Sequence, residues 1–338
     1  MTMRPQRHPR SGRARLGIAG VLATALLAAA CGGGDTAGDG DGPTSLSVAT
    51  IPTPDAASIY LAEEQGFFEE EDLDVDITLA DSGGAIIPGV VRGDYQFGHS
   101  NTVSLAVAAG EGLPLQAVTN TTGTGSDPDQ DISRILVAGD SPIQDAADLA
   151  GTTIAVNGLN NIGEVTIKAA LENRGVDVSG LDFVEMPYPD MNAALFAGEV
   201  DAIWQLEPHL SLAEEDGARP VLSNFVEATP DAQLGYLVTN RQYAAENTEV
   251  IERFSRAMDR AKEFATDNPD ETRRVLTESL GIPAEQAQDM LLPVFQPGMD
   301  VDSLRTYLEL TERYGLISEQ PNADDLVAPG ANTSETGR

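Results

Sequence analysis

A polar stretch in the middle of the chain has the residue types to bind a small molecule. Thr152 to Val156 is short, apolar and rich in β-branched residues, which is typical of a buried strand. The residues after it suit a tight turn and a helix N-cap: Asn157, Gly158, Asn160, Asn161 and Gly163. Ile162 to Asn173 then shows helical spacing. Free backbone N–H groups point outward at a helix start, so this junction is a candidate ligand site. An ordinary capped βα unit is the alternative.

Two aromatic residues downstream could contact a planar ligand. Tyr188 lies between two prolines at a predicted strand end, and Trp204, the only tryptophan, lies three residues before Glu207. An indole beside a carboxylate can stack on such a ligand and orient it. Packing of both rings in a core is the competing explanation.

Polar residues also follow the predicted strands in the first part of the chain. Ligands of open α/β sheets bind beyond the carboxyl ends of strands, so these positions are further candidates. Turn formation by glycine and helix capping by Ser or Asn are the alternatives at the same positions. His99 is interpreted as a structural histidine. The candidates are Thr53, Asp55, Ser82, Gly83, Ser100, Asn101 and Asn120.

The chain lacks the motifs of the common hydrolases. It contains neither G-x-S-x-G nor H-E-x-x-H, and its Ser, Asp and His residues fall in no recognisable catalytic order. Cys31 is the only cysteine, and only His99 and His209 lie beyond the leader, so neither a disulfide framework nor a His-rich zinc site is expected. We therefore predict a binding protein without a cofactor or metal, and not an enzyme.

The first residues are typical of an export signal. Five arginines in residues 1–15 precede an apolar run that ends at Ala30, which predicts a signal peptide over residues 1–30. Cys31 at the cleavage point resembles a lipoprotein box, with Ala28 where leucine is commonest. We expect lipidation at Cys31, followed by a flexible tether over residues 31–45 that is rich in Gly, Asp and Thr.

The charge of the chain excludes one class of partner. The formal net charge is −34, and removal of the basic leader makes the remaining chain more acidic. Such a surface repels nucleic acid and anionic lipid. We expect a monomer that contacts the membrane through its lipid anchor only.

Strands and helices alternate from Leu46 onward, which predicts an α/β fold with two lobes, each a mostly parallel sheet flanked by helices. The chain is predicted to cross between lobes near Ala138 and near Leu234. Lobe 1 would then comprise residues 46–138 and 234–321, and lobe 2 residues 139–233, with a polar C-terminal tail over 322–338. Two lobes joined by two crossings form a clamshell whose cleft is the expected ligand site.

Several sequence patterns together resemble a known family. The patterns are I-Y-L-A-E-E-Q-G-F-F from Ile59, D-L-A-G-T-T-I-A-V-N-G from Asp148, and V-E-M-P-Y-P-D-M-N-A-A-L-F-A-G-E-V-D-A-I-W-Q-L-E-P from Val184. In order and spacing they are similar to extracytoplasmic substrate-binding proteins of ABC importers, in the group that binds nitrate, sulfonates, taurine and thiamine-pyrimidine precursors. The resemblance covers roughly residues 46 to 320. It implies the type II periplasmic-binding-protein fold, an ABC permease with its ATPase as partners, and ligand contact by Trp204 or Glu207.

The ligand class stays open at this point. A small oxyanion or sulfonate could be held by helix N-termini, or a planar nitrogen heterocycle by Trp204, Tyr188 and Glu207. The alternative functions are an enzyme of pyrimidine or thiamine-precursor metabolism on the same fold and a ligand-sensing receptor lipoprotein. Enzymes of that kind resemble this chain but carry a cysteine-rich motif that it lacks.

Overall fold

The structure is a computed structural model that describes residues 42–80 and 83–334. The predicted signal peptide, Cys31 and most of the predicted tether lie outside the described residues, as does Ser82. Within the described part of the chain, no helix combines the length and apolar character needed to cross a membrane.

Strands and helices alternate along the chain, as the sequence predicts. The strands are β1 (Thr44–Thr50), β2 (Leu73–Leu79), β3 (Phe97–Asn101), β4 (Leu115–Gly123), β5 (Ser133–Ala138), β6 (Thr153–Val156), β7 (Asp182–Glu185), β8 (Ala202–Leu206), β9 (Ala218–Leu222) and β10 (Gln233–Asn240). The helices are α1 (Ala57–Glu64), α2 (Phe67–Glu70), α3 (Gly83–Arg92), α4 (Thr102–Gly110), α5 (Ile162–Asn173), α6 (Tyr188–Ala197), α7 (His209–Glu215), α8 (Asn224–Ala228), α9 (Arg241–Glu246), α10 (Thr248–Asp267), α11 (Pro269–Leu280), α12 (Ala284–Asp289) and α13 (Val301–Arg313). Short 3-10 helices span Pro54–Ala56, Pro128–Gln130, Ala146–Leu149 and Ala323–Leu326.

The ten strands listed above form two sheets with the same plan. The first has the order β2-β1-β3-β10-β4 and the second the order β7-β6-β8-β5-β9. In each sheet the fourth strand runs antiparallel to its two neighbours, and the other pairings are parallel. Four of the five strands therefore share one direction, which confirms the predicted class of two mostly parallel sheets flanked by helices.

Amphipathic helices bury their apolar faces against these sheets. On the first sheet, Phe254 of α10 stacks on Phe68 at 5.3 Å between ring centroids and lies 4.3 Å from Phe97 of β3. Pro269 separates α10 from α11, because proline fits the first turn of a helix and not its interior. Helix α13 contacts both α4 and α5, and its Tyr307 packs with residues around the second sheet.

The predicted crossing near Ala138 is wrong. Strand β5 pairs with β8 and β9, so it belongs to the second sheet and the chain crosses before Ser133. Strand β10 begins at Gln233 and pairs with β3 and β4, close to the predicted return at Leu234. The first strand after each crossing, β5 or β10, is thus the antiparallel strand of the sheet that it enters.

Both ends of the described chain are more ordered than predicted. The sequence predicts a tether that extends to Ser45, whereas β1 begins at Thr44 and pairs there with Leu73. In the predicted polar tail, Leu326 and Ala328 are buried. The side chain of Gln116 on β4 donates to the carbonyls of Asp325 and Val327, so this segment packs against the first sheet. A few apolar residues among many polar ones were enough to anchor it.

Candidate functional site

A cavity of about 280 Å³ lies between the two sheets. It is formed where the parallel strands of both sheets end, the position at which open α/β sheets bind ligands. Ile51, Asn101 and Thr122 contribute from the ends of β1, β3 and β4, and Asn157 and Leu206 from the ends of β6 and β8. Ile132, directly before β5, and Leu234 and Gly235, at the start of β10, also line the cavity, so the chain contributes to the wall where it enters each sheet. The remaining lining residues are Asp55, Gly83, His99, Gly158, Leu159, Asn161, Ile162, Glu185, Tyr188, Trp204 and Phe225.

More than half of the sequence-predicted candidates line this cavity. They come from separate parts of the chain and are brought together by the two sheets. They are Asp55, Gly83, Asn101, Asn157, Asn161, Tyr188 and Trp204.

Three aromatic rings form one wall of the cavity. The ring centroid of Trp204 lies 5.6 Å from that of Tyr188 and 5.9 Å from that of Phe225. The indole is 1 % exposed, and its Nε1 donates to Ser133 Oγ at 2.7 Å. A Cβ atom at Gly163 would lie 2.5 Å from the indole, so glycine at the start of α5 permits this packing. Trp204 is thus both a core residue and a cavity residue.

Tyr188 begins a helix. The predicted strand end is wrong: Pro187 precedes the helix as its N-cap residue, and Tyr188 is the first residue of α6. Proline is favoured at helix starts, and the P-Y-P pattern fits this role. Burial raises the pKa of the Tyr188 hydroxyl well above its ordinary value, with a further contribution from the nearby charge of Asp55. The phenol is therefore a neutral wall residue near Asp55.

Asp55 and His99 are the two ionisable side chains that the first lobe contributes to the cavity lining. Asp55 belongs to the 3-10 helix after β1 and His99 to β3, and His99 Nε2 lies 3.7 Å from Asp55 Oδ2. The two side chains are 15 % and 5 % exposed. Burial raises the pKa of Asp55 to about 7 and lowers that of His99 to about 4. The imidazole is therefore neutral at pH 7. His99, which the sequence predicts to be structural, also lines the cavity.

Three buried polar atoms of the lining residues have no hydrogen-bond partner within the described residues: Asn157 Oδ1, Thr122 Oγ1 and His99 Nδ1. Leaving a buried polar atom unpaired costs about 1–3 kcal/mol. A ligand in the cavity could pair with them.

Asn161 joins the two lobes. Its Oδ1 accepts from Asn101 Nδ2 at 2.9 Å and from Ser104 Oγ at 3.1 Å, both from the first lobe. The same oxygen accepts from the backbone N–H of Ile162 and so caps α5. One side chain therefore serves as N-cap and as a bridge across the cleft.

Glu207 does not line the cavity and is a structural residue in this fold. Its carboxylate accepts from the backbone N–H and hydroxyl of Ser211, and from the backbone N–H of Leu291 at 3.1 Å. Burial raises its pKa, and these hydrogen bonds oppose the rise. It fixes the start of α7 to the segment after α12.

Other predicted candidates also lie away from the cavity lining. Asn120 accepts from Lys262 Nζ at 2.8 Å and donates to the carbonyl of Gln296, so its amide is used in packing. Asn160 has a positive φ of 53° in the turn before α5. Thr53 and Ser100 are buried outside the cavity lining, and Ser82 lies outside the described residues.

Sequence reasoning missed several lining residues, among them Thr122, Glu185 and Phe225. Thr122 was missed because the sequence predicts that Asn120 follows its strand, whereas β4 continues to Gly123. The run of threonines after Thr119 would have supported a longer strand, since threonine is enriched in strands. Phe225 lies in α8, a helix of five residues that is too short to show periodicity.

The charged side chains of the cavity lining are acidic. Its ionisable acids are Asp55 and Glu185, and it includes neither lysine nor arginine. Glu185 Oε2 accepts from the backbone N–H of Leu159 at 3.3 Å. Within the described residues, no group of three or more His, Cys, Asp or Glu side chains could hold a metal ion. The site thus offers carboxylates, amides and aromatic rings, without a cationic side chain.

A family model described as NMT1/THI5 like matches residues 53–272, more than half of the chain. A formylaminopyrimidine-binding protein of Halalkalibacterium halodurans is 25 % identical over 264 residues, which cover 77 % of each chain. A taurine-binding periplasmic protein of Escherichia coli is 26 % identical over 226 residues, covering 67 % of this chain and 68 % of that protein.

Solved structures show the same fold. The periplasmic aliphatic sulphonate binding protein of Escherichia coli superposes with a TM-score of 0.70 at 17 % identity, covering 88 % of this chain and 95 % of the other. The periplasmic nitrate-binding protein of Synechocystis gives a TM-score of 0.67 at 14 % identity, covering 83 % and 84 %.

Proposed function

This chain belongs to the NMT1/THI5-like family, and we propose that it is an exported solute-binding protein that delivers a small molecule to an ABC importer. The observation that carries the proposal is the cavity between the two sheets, lined from both lobes at the carboxyl ends of their strands. Its relatives are named as binding proteins, and the role proposed for this chain is likewise binding without catalysis.

The proposed mechanism is closure of the lobes around the ligand. The ligand favours the closed form because it contacts both lobes at once. The chain passes from the first sheet to the second before β5 and returns before β10, and these segments are where closure would bend the chain. The permease with its ATPase then recognises the closed form. The aromatic wall of Trp204, Tyr188 and Phe225 favours a planar organic ligand.

We further propose that Cys31 carries a lipid that holds the protein on the outer face of the cytoplasmic membrane as a monomer. The sequence around Cys31 supports this, because a basic segment and a short apolar run precede the cysteine. Cys31→Ser should move the exported protein from the membrane fraction to the soluble fraction, with its solute binding unchanged. A Cys31→Ser protein that stays with the membrane would contradict lipid anchoring.

A thermal-shift panel tests solute binding. It includes nitrate, bicarbonate, taurine, alkanesulfonates, aminopyrimidines, riboflavin and aromatic acids. A ligand that binds only the native state raises the free energy of unfolding by about 2.7 kcal/mol at a hundredfold excess over Kd. We expect one chemical class to respond and the response to disappear in Trp204→Phe, which retains an aromatic ring but changes the cavity wall. A response that persists in cavity variants would place binding elsewhere and contradict the proposal.

A further inference from the structure

The Asp55 carboxylate is buried in the cavity without a positively charged partner in the lining. Its side chain is mostly buried, and the 3.7 Å separation from His99 Nε2 is too long for a good hydrogen bond. Buried charges in proteins are normally paired. Here no lysine or arginine is among the residues that line the cavity.

The groups that face Asp55 do not supply this charge. His99 faces it from β3 and Tyr188 from α6, while Glu185 at the end of β7 adds a second carboxylate to the lining. Helix α1 and strand β4 also pack against the 3-10 helix of Asp55, but neither contributes an ionisable side chain to the lining. Burial raises the pKa of Asp55 to about 7 and lowers that of His99 to about 4, so the neutral imidazole leaves an ionised Asp55 uncompensated.

Two helix starts beside the cavity, those of α4 and α5, are already occupied by the protein's own side chains. Asn161 Oδ1 accepts from the N–H of Ile162 at the start of α5, and Asn101 Oδ1 accepts from the N–H of Ser104 in the first turn of α4. Glu164, in the first turn of α5, accepts from the N–H of Asn160 and adds negative charge there. At these two helix starts an oxyanion would therefore meet few free N–H donors, and in the lining it would meet two carboxylates, Asp55 and Glu185.

We propose that Asp55, with His99 beside it, is the specificity-determining residue of the cavity and selects ligands that carry a protonated nitrogen on a planar group. The carboxylate pairs with the cationic N–H group, and the rings of Trp204, Tyr188 and Phe225 surround the planar part and attract its charge. Anions are excluded by Asp55 and Glu185. This inference rests on the proposed solute-binding function and specifies in addition that the solute is cationic.

Three probes of the same planar shape test the charge selection: benzamidinium, benzamide and benzoate. Calorimetric titration of the purified protein at about pH 8, where Asp55 is ionised, should show benzamidinium binding about tenfold or more tightly than benzamide. Benzoate should show no saturable binding. Absence of benzamidinium binding, or benzoate binding as tight as that of benzamidinium, would overturn the inference without any variant.

Asp55→Asn keeps the shape of the side chain and removes its charge. Benzamidinium and benzamide should then bind with similar affinity, whereas the matched control Asp190→Asn, on exposed α6 surface outside the lining, should keep the preference. Lowering the pH from about 8 to 6 should weaken benzamidinium binding in the wild type but not in Asp55→Asn. A preference that survives in Asp55→Asn would overturn the inference. If taurine or nitrate stabilises the protein while benzamidinium does not, the solute-binding function stands and the charge selection fails.

Discussion

Two adjacent threonines on β4 allow the effect of a hydroxyl group on ligand binding to be distinguished from its effect on stability. Thr121 and Thr122 are both buried, and neither hydroxyl has a hydrogen-bond partner within the described residues. Only Thr122 lines the cavity. Residues of the same type therefore differ in one respect, access to the ligand.

Thr122→Val should lower the affinity for the solute identified in the panel by about fivefold to tenfold, because a hydrogen bond to the ligand contributes about 1 kcal/mol. The free energy of unfolding without ligand should be unchanged or higher, since an unpaired buried hydroxyl is removed. Titration calorimetry and urea unfolding measure the two quantities. Thr121→Val is the control and should leave the affinity unchanged; an equal loss in both variants would argue against ligand contact by Thr122.

Asp55 should make the stability of the ligand-free protein depend on pH. Its pKa is about 7 in the folded protein and near 3.8 in the unfolded chain, so the folded state holds more protons between these values. The free energy of unfolding contributed by this group is therefore present below about pH 4 and falls as the pH rises to about 7. Burial of His99 acts in the opposite direction between about pH 4 and 6.5, so only a comparison of variants isolates Asp55.

Asp55→Asn should match the wild type in melting temperature near pH 4 and exceed it by several degrees near pH 8. Calorimetric scans across this range measure the difference. A difference in melting temperature that does not change with pH would show that Asp55 is ionised at little cost in the folded protein. The control is Asp74→Asn, at an exposed position on β2, for which the difference from the wild type should not follow this trend.

At the residue scale, sequence patterns located candidates better than they assigned roles. Asn157 and Asp55 were predicted because polar residues follow strands, and both line the cavity. Asn120 and Glu207 satisfied the same rule but are used in packing by Lys262, Ser211 and Leu291. Lys262 and Leu291 are distant in sequence from the residues they contact, so no local pattern could have indicated them.

At the element scale, the start of α5 should control the balance between open and closed forms. Asn161→Ala removes the N-cap of α5 and both hydrogen bonds to the first lobe, so it should favour the open form and destabilise the protein by about 1 kcal/mol. Small-angle scattering of the ligand-free protein should show a larger radius of gyration. Ser104→Ala removes one bond across the cleft and leaves the N-cap intact, so it should have a smaller effect on both quantities. No change in radius for Asn161→Ala would contradict the bridging role.

Helix α10 is anchored to the first sheet by a buried ion pair. Lys262 is fully buried, and its Nζ contacts Asp259 at 2.7 Å, Asn120 at 2.8 Å and Thr119 at 3.0 Å. Asp259 also accepts from the backbone of Gly298 and from the side chain of Asn332. Lys262 thus connects the helix to β4, and Asp259 connects it to the C-terminal segment.

Lys262→Met should lower the free energy of unfolding by about 3–5 kcal/mol, because it leaves a buried carboxylate without its partner. Urea unfolding measures the loss. Lys168, the only other lysine, is a suitable control: it pairs with Glu164 at 3.3 Å and is partly exposed, so Lys168→Met should cost about 1 kcal/mol or less. Similar losses in the two variants would contradict a special role for Lys262.

The element order was largely predictable, whereas the ends of elements were not. Long amphipathic helices such as α10 and α13 repeat their apolar signal over several turns, which makes such elements visible in a sequence. Strand β4 instead continues past Asn120, which is predicted to follow the strand, and helix α6 begins at Tyr188 between two prolines. Such ends depend on pairing and capping partners from other parts of the chain.

At the scale of the whole molecule, the two-sheet architecture followed from strand–helix alternation, but the assignment of the crossing strand did not. Nothing in the residues of strand β5 assigns it to one sheet or the other, and only its pairing with β8 and β9 places it in the second sheet. A net charge of −34 repels nucleic acid, but such an overall charge does not identify the ligand. Ligand charge depends instead on the few residues of the cavity.

Distances between the lobes test the central claim most directly. Spin labels at Asp74→Cys on β2 and Asp182→Cys on β7, with Cys31→Ser to avoid a third label, report the separation of the two sheets by double electron–electron resonance. The account predicts that the solute identified by thermal shift shortens and narrows the distance distribution, and that Thr122→Val requires more solute for the same change. A solute that stabilises the protein with no change in this distance would contradict binding by closure of the two lobes.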